Sequence, residues 1–238
     1  MDQDHERAAP TVLVVDVGGN NAKLWISDSQ ERRKSPSGPD FTPQDLMAVI
    51  ASLASDWRFD RITVGIPTGI SDGRPVTEPH NLGPGWCDYD FTGAFSQPLK
   101  LINDAAMQAL GSYEGGRMLF LGLGTGLGSA LIDNGHLVSL ELAHLPYKKD
   151  LTFEDCVGTR GFDRLGQKKW QQAVFDVSER LRLATVADYV VLGGGNAKKL
   201  SELPPLCRRG SNKRAFLGGY RLWAGANAVL PIKEVTAE

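Results

Sequence analysis

The sequence predicts an α/β protein built from two related halves that face one cleft, and three observations point to this fold class. The chain has 238 residues, which is many for one small domain and few for two large ones. Apolar runs typical of strands alternate with segments of helical periodicity. A strand, a glycine-rich turn and a second strand occur over residues 11–26 and again over residues 117–132.

Four apolar runs predict the strands of the first half: residues 11–17, 22–26, 61–66 and 99–102. Thr42-Pro43-Gln44-Asp45 has the pattern of a capping box with proline at the first helical position, and it predicts a helix that runs to about Trp57. A long loop rich in Gly, Pro and Asp extends to Asp90, and loops of this length are usually functional. The last strand delivers Asn103 and Asp104 to its end, before a helix that starts at Ala105.

Four further runs predict the strands of the second half: residues 117–121, 129–132, 136–140 and 189–192. A glycine-rich turn over residues 122–128 joins the first two of them. Apolar side chains spaced by three and four predict a helix over residues 162–185. The turn Gly193-Gly194-Gly195 leads into a helix that begins at Asn196, and a last helix over residues 219–229 returns to the first half.

The composition is that of a globular protein that stays in the cytosol. Hydrophobic residues make up 42% of the chain and charged residues 23%, values typical of a chain that buries a core. The first ten residues are polar and lead into only a short apolar run, so we expect no signal peptide or membrane segment. Cys87, Cys156 and Cys207 lie far apart, which argues against a disulfide framework and a structural zinc site.

The net charge of −2 hides an asymmetry along the chain. Residues 1–100 carry 9 Lys and Arg against 14 Asp and Glu, whereas the stretch from His144 to Arg221 carries 15 against 8. Five basic doublets lie in that stretch: Lys148-Lys149, Lys168-Lys169, Lys198-Lys199, Arg208-Arg209 and Lys213-Arg214. Either a polyanionic partner or an ordinary solvated basic face explains it.

Three glycine-rich turns follow apolar strands, at residues 18–21, 122–128 and 193–195. Glycine lets the backbone adopt positive φ and approach a ligand closely, so that successive N–H groups can converge on phosphate oxygens. The chain contains no GxxxxGK[ST] motif, and the second turn lacks GxGxxG spacing and runs into a strand, which excludes P-loop and Rossmann sites. A single such turn would be typical of a plain hairpin, but three at strand ends indicate phosphate binding.

Three side chains beside these turns have the chemistry of phosphoryl transfer. Asp16 precedes the first turn and could hold a magnesium ion through oxygen or water contacts. Lys23 either neutralises charge on the transferring phosphate or is a solvent-facing strand lysine. Asp104 lies beside Asn103 at a strand end, where a carboxylate can remove a proton from an attacking alcohol; it could also cap the following helix.

Together these motifs resemble those of the hexokinase, acetate kinase, Hsp70 and actin superfamily. The resemblance lies in a first phosphate motif at Asp16–Lys23, a catalytic pair at Asn103-Asp104, a second phosphate motif at Gly122–Ser129 and an adenosine motif at Leu192–Asn196. Within the superfamily the sequence resembles the ROK sugar kinases, through Gly65-Ile66-Pro67 with Asp72-Gly73, Asn81-Leu82 with Gly85-Trp86, and Glu141-Leu142-Ala143-His144, which is similar to an ExGH motif. In its short length and its lack of the zinc cysteines, the sequence most resembles the polyphosphate glucokinase branch of the family.

The resemblance implies a two-domain actin-like ATPase (ribonuclease H-like) fold with an interdomain cleft. The small domain would span residues 1–100 and the larger one residues 101–218, with a C-terminal helix over residues 219–238 packed on the small domain. The implied activity is phosphoryl transfer from polyphosphate, ATP or both to the 6-hydroxyl of glucose or a similar hexose, with Mg²⁺ and without zinc. A cytoplasmic homodimer without nucleic-acid or membrane partners is expected.

The resemblance also assigns roles to individual residues, with Asp104 as general base and Asp16 as magnesium ligand. The expected sugar ligands are Asn81, Asn103, Asp104, Glu141, His144 and Glu154. The expected donor site consists of Asp16, Gly18, Gly19, Asn20, Asn21, Lys23, Gly124, Thr125, Gly126, Gly193, Gly194, Gly195 and Asn196.

The sequence departs from the family pattern at three points, and a second hypothesis stays open beside the kinase. The cysteine-rich zinc loop is absent, Ala143 replaces the glycine of ExGH, and Asn20 stands where the family usually has threonine. The alternative is a non-catalytic sugar- or nucleotide-binding pseudokinase or sensor.

Overall fold

The computed structural model describes residues 10–29, 31–211 and 213–225. The chain forms two compact units, and the boundary between them lies between Asp104 and Ala105. The sequence analysis placed this boundary after residue 100. Each unit contains one five-stranded sheet made of both antiparallel and parallel strands, together with helices. The α/β class is therefore confirmed, and no described helix is long and apolar enough to cross a membrane.

The described part of the first unit has the element order β1 (Val12–Val17), β2 (Asn21–Ile26), β3 (Arg32–Pro36), α1 (Pro43–Leu53), β4 (Arg61–Ile66), β5 (Ile70–Ser71), β6 (Arg74–Pro75) and β7 (Leu99–Asn103). The main sheet has the strand order β3-β2-β1-β4-β7. β1, β2 and β3 form an antiparallel meander, while β1, β4 and β7 are parallel. Because Asp16 aligns with Gly65 and Gly65 aligns with Ile102, the residues after these parallel strands meet at one edge of the sheet.

The core of the first unit lies between this sheet and α1. The predicted capping box is confirmed, since the Thr42 side chain accepts the Asp45 N–H and Asp45 accepts the Thr42 N–H. Leu46 and Ile50 of α1 are buried. The helix ends at Leu53, four residues earlier than predicted, because Ala54 leaves helical geometry with φ −112° and ψ 15°.

The described part of the second unit has the order α2 (Asp104–Ser112, which starts at the unit boundary), β8 (Arg117–Leu123), β9 (Leu127–Asp133), β10 (His136–Leu140), β11 (Pro146–Lys148), β12 (Leu151–Thr152), α3 (Phe153–Val157), α4 (Thr159–Ala184), β13 (Tyr189–Gly193), β14 (Cys207–Arg209) and α5 (Arg214–Ala224). Its sheet has the order β10-β9-β8-β13-β14, which repeats the arrangement of the first unit: an antiparallel meander followed by two parallel strands. The two halves are therefore related in topology, as the repeated hairpins predicted.

The long helix α4 covers the second sheet. Its apolar face, with Trp170, Val174, Val177 and Leu181, is buried in the core. Gly166 interrupts the helix with φ 71°, a left-handed conformation that favours glycine. The predicted range of residues 162–185 therefore corresponds to most of one kinked helix.

α2 and α5 pack at backbone distance through two glycines. A Cβ atom at Gly111 would lie 1.8 Å from the Arg214 carbonyl oxygen, and one at Gly218 would lie 1.8 Å from the Met107 carbonyl oxygen. Arg221 donates to the carbonyl oxygens of Leu110 and Tyr113, each at 2.9 Å, at the end of α2. Helix α5 thus begins five residues before the predicted helix of residues 219–229. The predicted packing of residues 219–238 on the first half stays a prediction, because residues 226–238 lie outside the described residues.

The structure corrects the sequence prediction at Asn196. A helix was expected to begin there, but the chain forms only a 3-10 turn over Ala197–Lys199. Pro204 and Pro205 follow within a few residues, and a proline disfavours helical geometry at the residue that precedes it. The sequence analysis did not predict seven of the observed elements: β3, β5, β6, β11, β12, α3 and β14.

Candidate functional site

The first glycine turn joins β1 to β2 and packs against the predicted sugar residue Asn81. The Gly18 N–H donates to the Asn21 carbonyl at 3.0 Å, and the Ser37 N–H donates to the Asn20 carbonyl at 3.1 Å. A Cβ atom at Gly19 would lie 3.1 Å from the Cβ of Asn81. The structure therefore brings a predicted phosphate turn and a predicted sugar ligand together within the first unit.

Asp16 and Lys23 face each other across this hairpin, since they are partners in the β1–β2 register. The Lys23 ammonium lies 3.0 Å from Asp16 Oδ2, and the Asp16 side chain is only 9% exposed. A nearly buried carboxylate is stable only with such compensation. The lysine is therefore held at the first turn by an ion pair rather than extended freely into solvent.

A magnesium ion at Asp16 fits the chemistry of this hairpin. Magnesium in kinases is usually held by one or two carboxylates, waters and the phosphates of the substrate. Asp16 supplies one carboxylate at the end of a strand. No group of three His, Cys, Asp or Glu side chains forms a metal cage within the described residues, so the donor phosphates and water would have to complete the coordination.

Asn103 and Asp104 lie where β7 ends and α2 begins. The Asn103 side chain donates to the Thr68 carbonyl at 3.0 Å, and the Thr68 hydroxyl in turn donates to the Thr77 carbonyl at 2.8 Å. Asp104 is the first residue of α2, where the helix dipole stabilises a negative charge. The next residue, Ala105, packs on the second turn, since a Cβ atom at Gly128 would lie 2.7 Å from the Ala105 Cβ.

The second glycine turn is shorter than predicted and consists of Gly124, Thr125 and Gly126, between β8 and β9. The Gly124 carbonyl accepts three hydrogen bonds: from the Thr159 N–H at 3.0 Å, the Thr159 hydroxyl at 3.0 Å and the Asn196 side chain at 2.9 Å. Thr159 was not identified from the sequence, and no local pattern marks it. The turn is therefore fixed by residues that are distant in the chain.

The third turn, Gly193–Asn196, packs directly on the second. Gly194 has φ 79°, and a Cβ atom there would lie 2.4 Å from the Leu123 carbonyl oxygen. The Asn196 N–H donates to the same oxygen at 2.8 Å. We call these two segments, Gly124–Gly126 and Gly193–Asn196, the paired turns.

One side of the paired turns is open. A Cβ atom at Gly124 or Gly195 would meet no atom within 4 Å, so packing does not require glycine at either position. At Gly126, by contrast, a Cβ atom would lie 2.1 Å from Glu154 Oε2. A ligand that approaches the backbone closely would therefore reach it from the Gly124 and Gly195 side.

Glu154 connects the second turn to the predicted sugar residues. Its Oε2 atom accepts the Leu127 N–H at 3.2 Å, and its Oε1 atom lies 3.3 Å from the Arg160 guanidinium. The Glu154 N–H donates to the Ala143 carbonyl at 3.0 Å, within the ExGH-like motif. The capping box of Thr152 and Asp155 starts α3 and so places Glu154 in its first turn.

His144 and Glu154 lie close enough for their charges to act on the Glu141 carboxyl. Loss of hydration raises the pKa of the Glu141 carboxyl, the Glu154 charge raises it further, and the His144 charge opposes both effects. The structure thus brings together the three predicted sugar residues of the second unit. Asn81, Asn103 and Asp104 belong to the first unit.

Ser129, the last residue of the predicted second phosphate motif, has a supporting role that the sequence analysis did not assign. Its hydroxyl is buried, donates to the Leu140 carbonyl at 2.8 Å and accepts the Leu142 N–H at 3.2 Å. These two bonds hold the backbone on both sides of Glu141. Its place directly after Gly128 is visible in the sequence, but its hydrogen-bond partners are not.

The hairpin β11–β12 occupies the segment that lacks the zinc-loop cysteines. Tyr147 stacks on Phe153 with ring centroids 5.2 Å apart, and its hydroxyl donates to Asp176 of α4. Lys148 lies 3.4 Å from the same carboxylate. These contacts fix the hairpin between His144 and Glu154 to the long helix.

Comparison with known proteins yields one family. The sequence profile of the ROK family matches residues 12–140. Polyphosphate glucokinase of Mycobacterium leprae (strain TN) is 25% identical over 213 residues, which cover 81% of this chain and 65% of the relative. Polyphosphate glucokinase of Mycobacterium tuberculosis (strain H37Rv) is 27% identical over 214 residues, which cover 81% and 80%. The chain spans just under two thirds of the length of the first of these relatives.

Solved structures share the fold. The inorganic polyphosphate/ATP-glucomannokinase from Arthrobacter sp. strain KM matches with a TM-score of 0.76 and 23% identity over 91% of this chain and 99% of that one. A ROK family glucokinase from Streptomyces griseus, solved with glucose and AMPPNP, matches with a TM-score of 0.68 and 13% identity over 90% and 99%. The predicted actin-like ATPase fold is therefore confirmed.

Proposed function

Because this chain belongs to the ROK family, we propose that it is a sugar kinase that transfers a phosphoryl group from polyphosphate, ATP or both to the 6-hydroxyl of glucose or a similar hexose. The observation that carries the proposal is the contact between Glu154 and the second turn at Leu127. It joins a residue expected to bind sugar to a turn expected to bind phosphate. The polyphosphate glucokinases to which the chain is similar support the same activity.

Asp104 acts as the general base in this proposal. The 6-hydroxyl oxygen of the sugar attacks the terminal phosphorus of the donor, the bond from that phosphorus to the leaving phosphate oxygen breaks, and the hydroxyl proton passes to the Asp104 carboxylate. Asn103, fixed by its bond to Thr68, orients the hydroxyl. The position of Asp104 in the first turn of α2 favours its ionised form.

The donor is held by the glycine turns. Backbone N–H groups at the open side of the paired turns and at the first turn would contact the phosphate oxygens. Lys23 adds a positive charge beside Asp16. Mg²⁺, held by Asp16 and the donor phosphates, would neutralise charge that develops during transfer. No zinc requirement is expected, because the sequence between His144 and Arg160 contains a single cysteine.

The sugar is recognised by a ring of polar side chains. Asn81, Asn103, Asp104, Glu141, His144 and Glu154 supply donors and acceptors for the hydroxyls. A site of this kind rejects ligands that leave its polar groups unpaired. Residues of both units act on one substrate in this proposal, and the cleft between the units stays a prediction.

The direct test is a coupled assay of glucose 6-phosphate formation by the purified chain with Mg²⁺ and either ATP or polyphosphate. We expect turnover with at least one donor, and loss of kcat by about 10²- to 10⁴-fold in Asp104→Asn with little change in the KM for glucose. Turnover that persists in Asp104→Asn and Asp104→Ala would remove this residue from the mechanism.

The alternative pseudokinase gives a different pattern. Calorimetry would show glucose binding to the wild-type chain, while no phosphate transfer occurs with either donor.

Light scattering on a sizing column tests the expected homodimer in the same samples.

A further inference from the structure

The basic residues between His144 and Arg221 differ in how far acidic neighbours compensate them. Ion pairs with carboxylates involve Lys148, Arg160, Arg180, Arg182, Arg208 and Arg214. In the part of the chain that the structure describes, no ion pair with a carboxylate involves six lysines: Lys149, Lys168, Lys169, Lys198, Lys199 and Lys213. Four of these six lysines form the doublets Lys168-Lys169 and Lys198-Lys199.

These two doublets come together because the segment after the third turn packs along α4. The Gln167 side chain donates to the Lys199 carbonyl at 3.1 Å. Gln171, one helical turn later, accepts the N–H and the hydroxyl of Ser201, each at 2.9 Å. Residues four apart share a helix face, so this face of α4 carries the segment that contains Lys198 and Lys199.

Three of the lysines border this contact. Lys199 is fixed in place, since its ammonium lies 3.8 Å from the centroid of the Phe162 ring. Lys198 is exposed. At about 100° per residue in an α-helix, Lys168 lies beside Gln167, whereas Lys169 points about 200° away from it. We call Lys168, Lys198 and Lys199 the lysine cluster.

The lysine cluster is anchored to the paired turns. Asn196 bonds to the carbonyls of Leu123 and Gly124, and the buried side chains of Ala197 and Leu200 hold the intervening 3-10 turn in the core. Two extended residues span at most about 7 Å, so the Cα atom of Lys198 lies within that distance of Asn196. Glu202, which accepts from Gln171, is the nearby acidic residue of the segment. The three ammonium groups outnumber this carboxylate and that of exposed Asp163, which follows Phe162 in the chain, so the surface stays positive beside a turn expected to bind phosphate.

We propose that the lysine cluster is an extension subsite for linear polyphosphate, which binds phosphates further along the chain than those held at Gly124–Gly126. The inference rests on the function proposed above and deepens it by naming residues that distinguish a long donor from ATP. A nucleotide ends after three phosphates, whereas a polyphosphate chain continues with one negative charge or more per unit. Binding through such charges weakens as salt rises.

The test compares donors in Lys198→Gln/Lys199→Gln. We expect the KM for long-chain polyphosphate to rise about five- to tenfold at low salt, with kcat and the KM for ATP and tripolyphosphate unchanged. The salt dependence of the polyphosphate KM should become shallower. A KM for long-chain polyphosphate equal to that of the wild type would overturn the proposal.

Two controls separate a subsite from general electrostatic attraction. Arg180→Gln/Arg208→Gln removes the same formal charge from the same unit, but from arginines paired with Asp176 and Glu114, and it should leave the polyphosphate KM unchanged. Lys168→Gln should raise that KM more than Lys169→Gln, because only Lys168 borders the cluster. If the test and control variants raise the KM for polyphosphate equally, general electrostatic attraction explains the effect, and the subsite proposal is overturned.

A failure of the subsite proposal can be distinguished from a failure of the proposed kinase function. If the wild-type chain transfers phosphate from ATP, the kinase proposal stands whatever the lysine variants do. If it transfers none, equilibrium binding of fluorescently labelled long-chain polyphosphate still tests the cluster, with thermal unfolding as the check on folding. Equal affinity of the wild type and Lys198→Gln/Lys199→Gln, or equal competition by duplex DNA, would overturn the proposal.

Discussion

The two units use the same hairpin in different ways. Across the β1–β2 hairpin, Asp16 pairs with Lys23, so the first turn carries a carboxylate and an ammonium from its own strands. Across the β8–β9 hairpin the corresponding pairs are apolar or glycine, such as Gly122 with Gly128. The same strand–turn–strand hairpin therefore places two charged side chains next to the turn in the first unit, and uncharged residues next to the turn in the second.

The means of support differ as well. The first turn closes through the bond from the Gly18 N–H to the Asn21 carbonyl, and Ser37, which directly follows the adjacent strand β3, holds it from outside. The second turn is held from outside, by Thr159 at the start of α4 and by Asn196 after β13. The first turn therefore depends on a neighbouring strand of its own sheet, whereas the second depends on a helix and a turn that are distant in the chain.

The largest expected difference between the turns is in stability. Gly194→Ala places a Cβ atom 2.4 Å from the Leu123 carbonyl oxygen at a residue with φ 79°, and we expect it to lower the free energy of unfolding by about 2–4 kcal/mol. Gly18→Ala meets only the Asn21 carbonyl oxygen at 3.5 Å, and its cost should stay below about 1 kcal/mol. Urea unfolding of both variants measures this; equal losses would contradict the contrast drawn here.

A second comparison lies within the paired turns. Gly126→Ala would displace the Glu154 carboxylate from the Leu127 N–H, so we expect the KM for glucose to rise about tenfold, consistent with the loss of a charged hydrogen bond. Gly124→Ala fills open space; it should keep the unfolding midpoint of the wild type and raise the donor KM instead. Steady-state kinetics with each substrate varied in turn would show whether the two effects separate.

The smallest expected effect concerns the charge of the first turn. Lys23→Met leaves the Asp16 carboxylate, 9% exposed, without its ion pair. Because the lysine side chain is itself 40% exposed, solvent screens the pair, and we expect a loss of about 1 kcal/mol in unfolding free energy. Lys23→Arg should restore most of it. If the urea midpoint of Lys23→Met equals that of the wild type, the ion pair of Asp16 and Lys23 does not stabilise the fold, and its role would lie in donor chemistry alone.

Local patterns in the sequence were sufficient for much of the fold. Both hairpins, the capping box at Thr42 and the long amphipathic helix α4 follow from runs of neighbouring residues, and each was predicted close to its observed bounds. The strand β3 was missed because its sequence, Arg32–Pro36, is polar and lies at a sheet edge with one row of partners. Edge strands of this kind carry charge in place of an apolar signal.

The residues of the candidate site also fall into two groups: those that short sequence motifs indicate and those that only tertiary contacts reveal. Resemblance to a family predicts sugar-binding roles for Glu141, His144 and Glu154, and in the structure the charges of the latter two act on the Glu141 carboxyl. Thr159 could not be found this way, because it is 35 residues from Gly124 and acts through a hydroxyl that any surface threonine also has. Contacts of this range depend on tertiary packing rather than on sequence periodicity.

The glycine contact between α2 and α5 has a consequence for how the protein is made. α2 begins at Asp104, yet the arginine that satisfies the last carbonyls of this helix, Arg221, is synthesised about a hundred residues later. On a ribosome that adds roughly 5–20 residues per second, several seconds separate the two segments. The helix that carries the proposed base would therefore wait, incompletely capped, until α5 emerges and docks.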